Sequence, residues 1–412
     1  MINPKDVMEK LTVEDLCLSA DNYFKSISDP SHLLAKPFSS LIEAPELLRD
    51  MGHLLSELRL GKTMKVLEFG AGSCWFSRFL NQMQCQTISC DTSKTSLDIG
   101  KRLFAEFPIV GDFIAEPQFL HFDGHQINLP NESVDRIICF DAFHHIPNQE
   151  EVLRELFRVL KTGGVAGFCE PGKWHSQGAQ SQYEMKNYKV LENDIDITDI
   201  FAMAKKCGFT DIKCKVLCDM GVTLKQYQTL TDRTIKSKLK NLLNSFLNQF
   251  NSDFSLLTNS IMDNVSRVMT NKTVFFLYKG EYVPDSRSHI GLSHSMTIER
   301  NNVATKAGHD LNLLLRITNT GPAKWLKENI NGYGVVNIGT HLYDDMNILI
   351  DLNYSRHAIP EPIGPGESAN VTIAVKFNHA GTFKLAIDLV SEGICWFENI
   401  GSTPQFITVK VS

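Results

Sequence analysis

Apolar and polar positions follow two alternating rhythms between about residues 64 and 218. Short apolar runs typical of buried strands are separated by longer segments whose apolar residues recur every three or four positions, as in amphipathic helices. The strand-like runs read MKVLEF, TISCD, QFLHFD, DRIICFD, GVAGFCE and IKCKVLC. The helix-like segments read WFSRFLNQM, SLDIGKRLFAEF, QEEVLRELFRVLK and DIFAMAKKCGF. This alternation predicts an α/β fold, in which helices cover both faces of a doubly wound parallel sheet.

The rhythm changes twice further along the chain. A helical insertion is predicted at about 224–270, where one apolar stripe runs through Ile235, Leu239, Leu242, Leu243, Phe246 and Phe250. The strand-like run KTVFFLYKG follows it, and we expect this run to pair antiparallel with IKCKVLC at the sheet edge. From about residue 290, after the polar stretch Pro284–Ser288, alternating strands separated by Gly, Pro and Asn turns predict an all-β sandwich of immunoglobulin-like type.

These patterns divide the chain of 412 residues into three parts. We predict an N-terminal helical segment at 1–45, an α/β domain at 46–283 that contains the helical insertion, and a sandwich domain at 290–412. Two or three domains are what a chain of this length requires, because single hydrophobic cores stop growing at about 250–300 residues.

Composition excludes several classes of protein. The formal net charge of −6, with no clustered basic stretch, argues against a nucleic-acid partner. No apolar run approaches the roughly 18 residues that a membrane span needs, and the acidic first residues do not resemble a signal peptide. The ten cysteines show no metal-ligand spacing. We therefore expect reduced thiols and a cytoplasmic location.

A glycine turn follows the first predicted strand, in the segment VLEFGAGSCWFSRFL. Gly70 and Gly72 allow a sharp turn and a close approach of the backbone to a ligand. The third glycine of a dinucleotide fingerprint is absent, because Trp75 stands in its place, and no Gly-Lys-Ser/Thr phosphate loop follows. The turn therefore favours a nucleotide-containing cofactor that carries no pyrophosphate.

Two acids stand at the ends of the next strands. Asp91 ends the second predicted strand, about twenty residues after Gly70, where a carboxylate can accept hydrogen bonds from both ribose hydroxyls. Asp123, followed by Gly124, ends the third predicted strand and could accept from the exocyclic amine of adenine. Since the carboxyl ends of parallel strands meet at one edge of the sheet, these acids point to one crevice.

The order and spacing of these parts resemble those of the class I S-adenosylmethionine-dependent methyltransferases. The likeness covers about residues 45–220 and includes EFGAG, SCDTS, FDGHQINLP, CFDAFHHI and LRELFRVLKTGGVAGFCEPG, although Cys74 stands where a further glycine is usual. It implies a Rossmann-like fold with S-adenosylmethionine as cofactor, and it implies that the helical insertion covers the acceptor side. The resemblance assigns Glu68, Gly70 and Gly72 to the methionine part, Asp91 to the ribose, Asp123 and Gly124 to the adenine side, and Phe140 to a backbone contact.

Candidate general bases follow the fourth and fifth strands. His144 and His145 come after the fourth strand, Glu170 ends the fifth, and His175 lies shortly beyond. Histidine titrates near neutrality and suits the activation of a hydroxyl acceptor. Each of the four is a candidate catalytic residue, and packing or helix capping is the competing interpretation. The two adjacent histidines have no evident third ligand in the sequence, so no metal is predicted.

The acceptor is less well defined by the sequence. Immunoglobulin-like modules accompany bacterial enzymes of surface polysaccharides, which favours O-methylation of a sugar of such a polysaccharide or its precursor. One alternative is a methyltransferase of a small metabolite or natural product, with the sandwich forming a homo-oligomer. Another is a non-catalytic carbohydrate-binding or scaffold protein on the same fold. The intact cofactor residues argue against the last of these.

Overall fold

The computed structural model describes residues 1–111, 116–215 and 272–412. The predicted insertion at about 224–270 falls outside these ranges. In the first 278 residues, the described helices and strands are α1 (Pro4–Lys10), α2 (Val13–Ser26), α3 (Ser31–Leu34), α4 (Ala44–Leu58), β1 (Lys65–Phe69), α5 (Trp75–Gln82), β2 (Gln86–Asp91), α6 (Lys94–Glu106), β3 (Gln118–His121), β4 (Val134–Phe140), α7 (Gln149–Val159), β5 (Leu160–Pro171), α8 (Ala179–Asn187), α9 (Ile197–Cys207), β6 (Asp211–Lys215) and β7 (Lys272–Tyr278).

Seven of the described strands form one sheet in the order β3-β2-β1-β4-β5-β7-β6. Strands β1 to β5 are mutually parallel, and β7 runs antiparallel to both β5 and β6. The predicted antiparallel pairing of IKCKVLC with KTVFFLYKG is thereby confirmed. Strand order reverses between β1 and β4, and ligands of open α/β sheets bind outside the carboxyl ends of the strands at such a point.

The register brings the carboxyl ends of the central strands to one level. Phe69, the last residue of β1, pairs with Cys90 of β2 on one side and with Cys139 of β4 on the other. The central strands β1 and β4 are mostly apolar and almost entirely buried, as expected of a parallel sheet under helices. The residues that follow these strands therefore lie along one edge of the sheet.

Residues after 290 form two further sheets. Their strands are β8 (His294–Ile298), β9 (Asn302–Thr305), β10 (Asp310–Asn319), β11 (Val336–Tyr343), β12 (Leu349–Ala358), β13 (Ser368–Lys376), β14 (Gly381–Ser391), β15 (Cys395–Trp396) and β16 (Gln405–Val411). One sheet has the order β13-β10-β8, and the other has the order β12-β11-β14-β16-β9 with β15 beside β14. Both sheets contribute to a single apolar core, and β10 and β13 alternate buried and exposed positions as a sheet with one covered face does.

Residues 285–287, which precede these sheets in the chain, pack against them. Ser286, which the sequence placed in a polar connection, is fully buried, and its hydroxyl donates to the Gly334 carbonyl at 2.6 Å. The neighbouring Arg287 forms ion pairs with Asp285 at 2.7 Å and with Asp135 of β4 at 3.2 Å. Asp135 lies at the amino end of its strand. The C-terminal sheets are therefore attached at the edge opposite the carboxyl ends of the strands.

Candidate functional site

The predicted glycine turn forms the floor of a pocket at the carboxyl ends of the central strands. Gly70 and Gly72 both have positive φ, at 71° and 50°. A Cβ on Gly70 would lie 2.3 Å from the Cβ of Ala142. Both glycines line the pocket. The turn thus needs glycine for its conformation, and at Gly70 also for the close approach of the loop after β4.

Asp91 lines the same pocket. Its Oδ2 accepts a hydrogen bond from the Gly72 N–H and its Oδ1 from the Ser93 N–H, both at 2.8 Å. Burial raises the pKa of Asp91, and the two backbone hydrogen bonds act against that rise. Each oxygen keeps a further lone pair, so the carboxylate can still accept from two ribose hydroxyls.

Glu68 lies behind the pocket. It is buried, and its Oε2 accepts from the N–H of Ser77 at 2.8 Å and from the Ser77 hydroxyl. Ser77 is the third residue of α5, so this carboxylate caps the amino end of that helix. Burial raises the pKa of Glu68 to about 8. Glu68 is not among the residues that line the pocket. The geometry indicates that it positions the glycine turn by holding the start of α5.

The predicted adenine-side residues separate into two groups. Gly124 lines the pocket, together with Phe122, which was not predicted. Asp123 is exposed, and its Oδ1 accepts from the N–H groups of His125 and Gln126 at 2.8 and 2.7 Å. These bonds form an Asx turn, which is the structural role that a turn-prone Asp-Gly favours.

Phe140 belongs to the core. Its ring packs edge-on against Trp75 and Phe76, with centroids 5.6 Å apart in each case. The next two residues, Asp141 and Ala142, line the pocket instead, and Asp141 has a positive φ of 50°. The backbone contact that the resemblance assigned to Phe140 is therefore available one to two residues later.

Helix α2 covers the pocket, which the sequence did not indicate. Apolar residues along one side of α2 line the pocket: Val13, Leu16, Cys17, Ala20, Tyr23 and Phe24. The helix is fixed at Asp21, whose Oδ1 accepts from the Ser93 hydroxyl at 2.9 Å and from the Thr95 N–H at 3.0 Å. Because Thr95 lies in the first turn of α6, Asp21 joins the covering helix to the helix that follows Asp91.

Glu170 holds the two histidines in place. Its carboxylate is fully buried and accepts from the N–H groups of Ala142, Phe143 and His144 at 3.1, 2.9 and 3.3 Å. The same group lies 2.8 Å from His144 Nδ1. Neither Glu170 nor His144 lines the pocket. This geometry makes Glu170 a positioning residue for the short 3₁₀ helix Phe143–His145.

His145 lies in the pocket, and its ring orientation is defined. Its Nδ1 is 2.6 Å from the Leu191 carbonyl oxygen, which can only accept, so Nδ1 carries the proton. In the neutral ring Nε2 then keeps its lone pair. The side chain is 35% exposed. Of the four predicted candidate bases, only His145 combines a place in the pocket with a free acceptor nitrogen among the described contacts.

His175 is joined to a residue that the sequence analysis missed. Its Nε2 lies 2.7 Å from Oε2 of Glu192, whose side chain is 4% exposed. Burial acts to lower the pKa of His175, but the hydrogen bond and charge of Glu192 raise it. Burial acts to raise the pKa of Glu192, yet the three surrounding histidines lower it to about 2. Glu192 lies in LENDID, a polar stretch with no strand-end or motif signal, and only tertiary structure brings it to the histidines.

Comparison with known proteins places a methyltransferase domain within the α/β part of the chain. Residues 67–168 match the family model described as a methyltransferase domain. An uncharacterized methyltransferase of Schizosaccharomyces pombe is 34% identical over 27% of this chain and 40% of its own length. A second, methyltransferase-like protein of that yeast is 30% identical over 34% of this chain and 48% of its own. The chain thus spans less than half of either relative.

Solved structures align with this chain at low sequence identity. The phosphoethanolamine N-methyltransferase 2 of Haemonchus contortus, in complex with S-adenosylhomocysteine, aligns over 66% of this chain and 61% of its own at 16% identity, with a TM-score of 0.42. The family match and the methyltransferase relatives support the assignment of residues 67–168 to a methyltransferase domain, for which S-adenosylmethionine is the cofactor. Among the described residues, no helix is long and apolar enough to cross a membrane.

Proposed function

We propose that this protein transfers a methyl group from S-adenosylmethionine to a hydroxyl group of a small acceptor. The observation that carries the proposal is one pocket in which the glycine turn and Asp91 meet beneath α2. When bound, S-adenosylmethionine supplies a methyl group activated by the sulfonium. The protein then has to orient the acceptor and exclude water, and positioning alone can contribute about 7–11 kcal/mol.

His145 is the residue that supports a hydroxyl acceptor. A hydroxyl must lose its proton as it attacks, and Nε2 of His145 has the lone pair to accept it. The Leu191 carbonyl fixes the ring in this tautomer, and general base catalysis of this kind contributes about 10²–10⁴-fold in rate.

The size of the acceptor follows from the enclosure of the pocket. The side chains of α2 cover it, and Glu184, Val190 and Leu191 line it from the following segment. Tyr23 of α2 also packs edge-on against Tyr188, at 5.3 Å between ring centroids. We infer an acceptor small enough to lie between these elements, such as a monosaccharide unit of a polysaccharide precursor, and a small hydroxylated metabolite is the second candidate.

The tryptophans of the C-terminal sheets add no support for sugar binding. Trp325 is fully buried in their core. Trp396 packs against His341, with centroids 4.1 Å apart, and the guanidinium of Arg356 lies 4.3 Å from the ring centre. The sugar proposal therefore depends on the acceptor end of the pocket, with the C-terminal sheets contributing nothing to it.

Calorimetric titration with S-adenosylmethionine and S-adenosylhomocysteine tests the cofactor site. We expect Asp91→Ala to weaken binding by about 1.5–3 kcal/mol, because hydrogen bonds to a charged group are lost. Asp98→Ala is the matched control, since Asp98 is exposed on α6 and pairs with Lys101. Equal affinities of the two variants would remove Asp91 from the site. Labelled donor with a panel of nucleotide sugars and hydroxylated metabolites, analysed by mass spectrometry, then identifies the acceptor.

A further inference from the structure

The side chains of α2 give the pocket a direction. A Cβ placed on Gly124 would lie 2.7 Å from a side chain at the start of α2, so this end of the helix covers the predicted adenine side. Near the other end of α2, Tyr23 packs edge-on against Tyr188, with the ring centroids 5.3 Å apart. Tyr188 directly follows α8, and Glu184 of that helix lines the pocket together with Tyr23 and His145. We call the part lined by Tyr23, His145 and Glu184 the acceptor end.

The acceptor end contains a carboxylate whose charge is not compensated. No lysine or arginine is among the described residues that line the pocket. Of the three acids that do, Asp91 accepts two backbone hydrogen bonds and is assigned to the ribose, and Asp141 has Lys272 Nζ at 3.2 Å. The third is Glu184, whose Oε1 accepts a neutral hydrogen bond from Gln180 Nε2 at 2.6 Å. Glu184 has no ion-pair partner among the described residues, so it can pair with a cationic ligand.

A second carboxylate lies behind this end. Glu192 is 4% exposed, and its Oε2 is 2.7 Å from Nε2 of His175. Its Oε1 lies 3.4 Å from Nδ1 of His145 and has no hydrogen-bond partner among the described residues. Burial raises the pKa of Glu184, and the charge of Glu192 raises it further, although the Gln180 hydrogen bond acts to lower it. Two carboxylates in one partly buried site favour a ligand that brings a positive charge.

Tyr23 supplies an aromatic surface at the same place. Its ring lies edge-on to Phe24, with the centroids 5.4 Å apart, and edge-on to Tyr188, so its orientation is fixed by packing. Burial raises the pKa of Tyr23, and the charge of Glu184 raises it further, because the phenol and the carboxylate share one environment. The face of an aromatic ring attracts a cation, and a carboxylate forms a charged hydrogen bond with the same cation. Together the two side chains suit an ammonium group.

We propose that the acceptor carries a protonated amine beside the hydroxyl group that is methylated, and that Glu184 is the residue that selects it. This inference rests on the proposed function and narrows it to amino sugars and amino alcohols. The ammonium group donates to Glu184 and lies against the ring of Tyr23, which leaves the neighbouring hydroxyl group to His145. Sugars that carry a phosphate or a nucleotide are disfavoured, because they bring negative charge towards Glu184 and Glu192.

Matched probes test this selection by binding. Calorimetry first establishes that the purified full-length protein binds S-adenosylhomocysteine, so a failure of the cofactor site, and with it of the proposed function, is seen separately. The saturated complex is then titrated with glucosamine, glucose and glucose phosphate, and with serinol, glycerol and glycerol phosphate. In at least one set we expect the amine to bind about tenfold or more tighter than the neutral probe, since it gains a hydrogen bond between charged groups. The phosphate should bind most weakly.

Two variants and a control make the test decisive. Glu184→Gln should lose the preference for the amine and still bind S-adenosylhomocysteine. Tyr23→Leu keeps an apolar side chain without the ring, so it serves if Glu184→Gln does not fold by circular dichroism, and it should also reduce the preference. Glu106→Gln, which changes an exposed acid paired with Arg102 on α6, should behave like wild type.

Three results would overturn the proposal. The first is that in both sets the amine fails to bind, or binds no tighter than the neutral or phosphorylated probe. The second is an unchanged preference in a folded Glu184→Gln or Tyr23→Leu protein. The third is loss of S-adenosylhomocysteine binding in folded Glu184→Gln, which would place Glu184 at the cofactor.

Discussion

At the scale of single residues, Gly70 has the most restricted position in the pocket. We expect Gly70→Ala to lower the free energy of unfolding by about 1–2 kcal/mol for the left-handed backbone alone, with the contact to Ala142 adding to this. Binding of S-adenosylhomocysteine should be lost with it. Gly52→Ala is the control, because Gly52 lies inside α4 and a Cβ there meets nothing within 4 Å. Gly52→Ala should be neutral or stabilising in the same chemical denaturation, and equal behaviour of both variants would contradict the argument.

Glu68 gives the protein a pH dependence of known sign. Burial raises the pKa of this carboxyl to about 8 in the folded protein, against about 4.5 when unfolded. The folded state therefore binds a proton that the unfolded state has lost, and this stabilisation is complete below pH 4.5 and disappears as the pH rises to 8. Glu68→Gln keeps an acceptor for the Ser77 N–H and has no proton to lose.

The difference in free energy of unfolding between wild type and Glu68→Gln measures this contribution. Relative to the variant, wild type should lose on the order of 1–3 kcal/mol between pH 5 and pH 8, since each unit of pKa shift corresponds to about 1.4 kcal/mol. Denaturant titrations at several pH values give the comparison. Parallel pH profiles of the two proteins would show that Glu68 titrates normally.

At the scale of helices and strands, α2 determines access to the pocket. Partial burial acts to raise the pKa of Asp21, but hydrogen bonds from Lys25, Thr95 and Ser93 lower it. The Asp21 side chain that joins α2 to α6 therefore stays ionised. We expect Asp21→Ala to weaken binding of S-adenosylhomocysteine about fivefold, since loss of one such capping interaction costs about 1 kcal/mol. Limited proteolysis should also cut faster within residues 12–26.

Glu106→Ala is the control for α2. Glu106 lies at the far end of α6, where it pairs with Arg102 in solvent. It should leave both affinity and proteolysis unchanged. If Asp21→Ala behaves in the same way, α2 is held over the pocket by its apolar face alone.

The elements also show what the sequence could predict. A strand end is visible in the sequence as an apolar run followed by a glycine or an acid. This pattern placed Gly70 and Gly72 after β1 and Asp91 at the end of β2. Glu68 and Phe140 also lie near strand ends, so the sequence predicted contacts with the cofactor for both. In the structure the Glu68 side chain points under α5, and the Phe140 side chain points into the core. Neither α2 nor Glu192 belongs to a strand end. Their positions depend on how distant segments pack, and no local pattern records this.

At the scale of the whole molecule, β12 is an exposed edge. It ends the order of its sheet, and apolar side chains on and beside it are in solvent: Met346, Ile348, Leu349, Ile350 and Leu352. An apolar edge strand with unpaired backbone groups is a template for pairing with another chain. We expect concentration-dependent self-association of the protein through this strand.

Sedimentation velocity measures that association. Ile350→Lys should shift the protein to monomer at concentrations where wild type associates, because a lysine on the edge opposes strand pairing. Leu314→Lys is the matched control, since Leu314 is equally exposed but lies on β10, an inner strand of the other sheet. A monomeric wild type, or an Ile350→Lys variant that associates like wild type, would exclude β12 as an interface.

The attachment of the C-terminal sheets at Asp135 has a consequence for catalysis. From Asp135 to Asp141, β4 spans about 20 Å at roughly 3.3 Å per residue, so the C-terminal sheets and the pocket lie at opposite ends of the strand. Within one chain these sheets therefore act on the acceptor only at a distance. A ligand bound by these sheets would reach the pocket only if it were a polymer long enough to extend from one end of the α/β domain to the other. Such binding would raise the effective concentration of the polymer's acceptor group at the pocket. A short acceptor would react equally well without them.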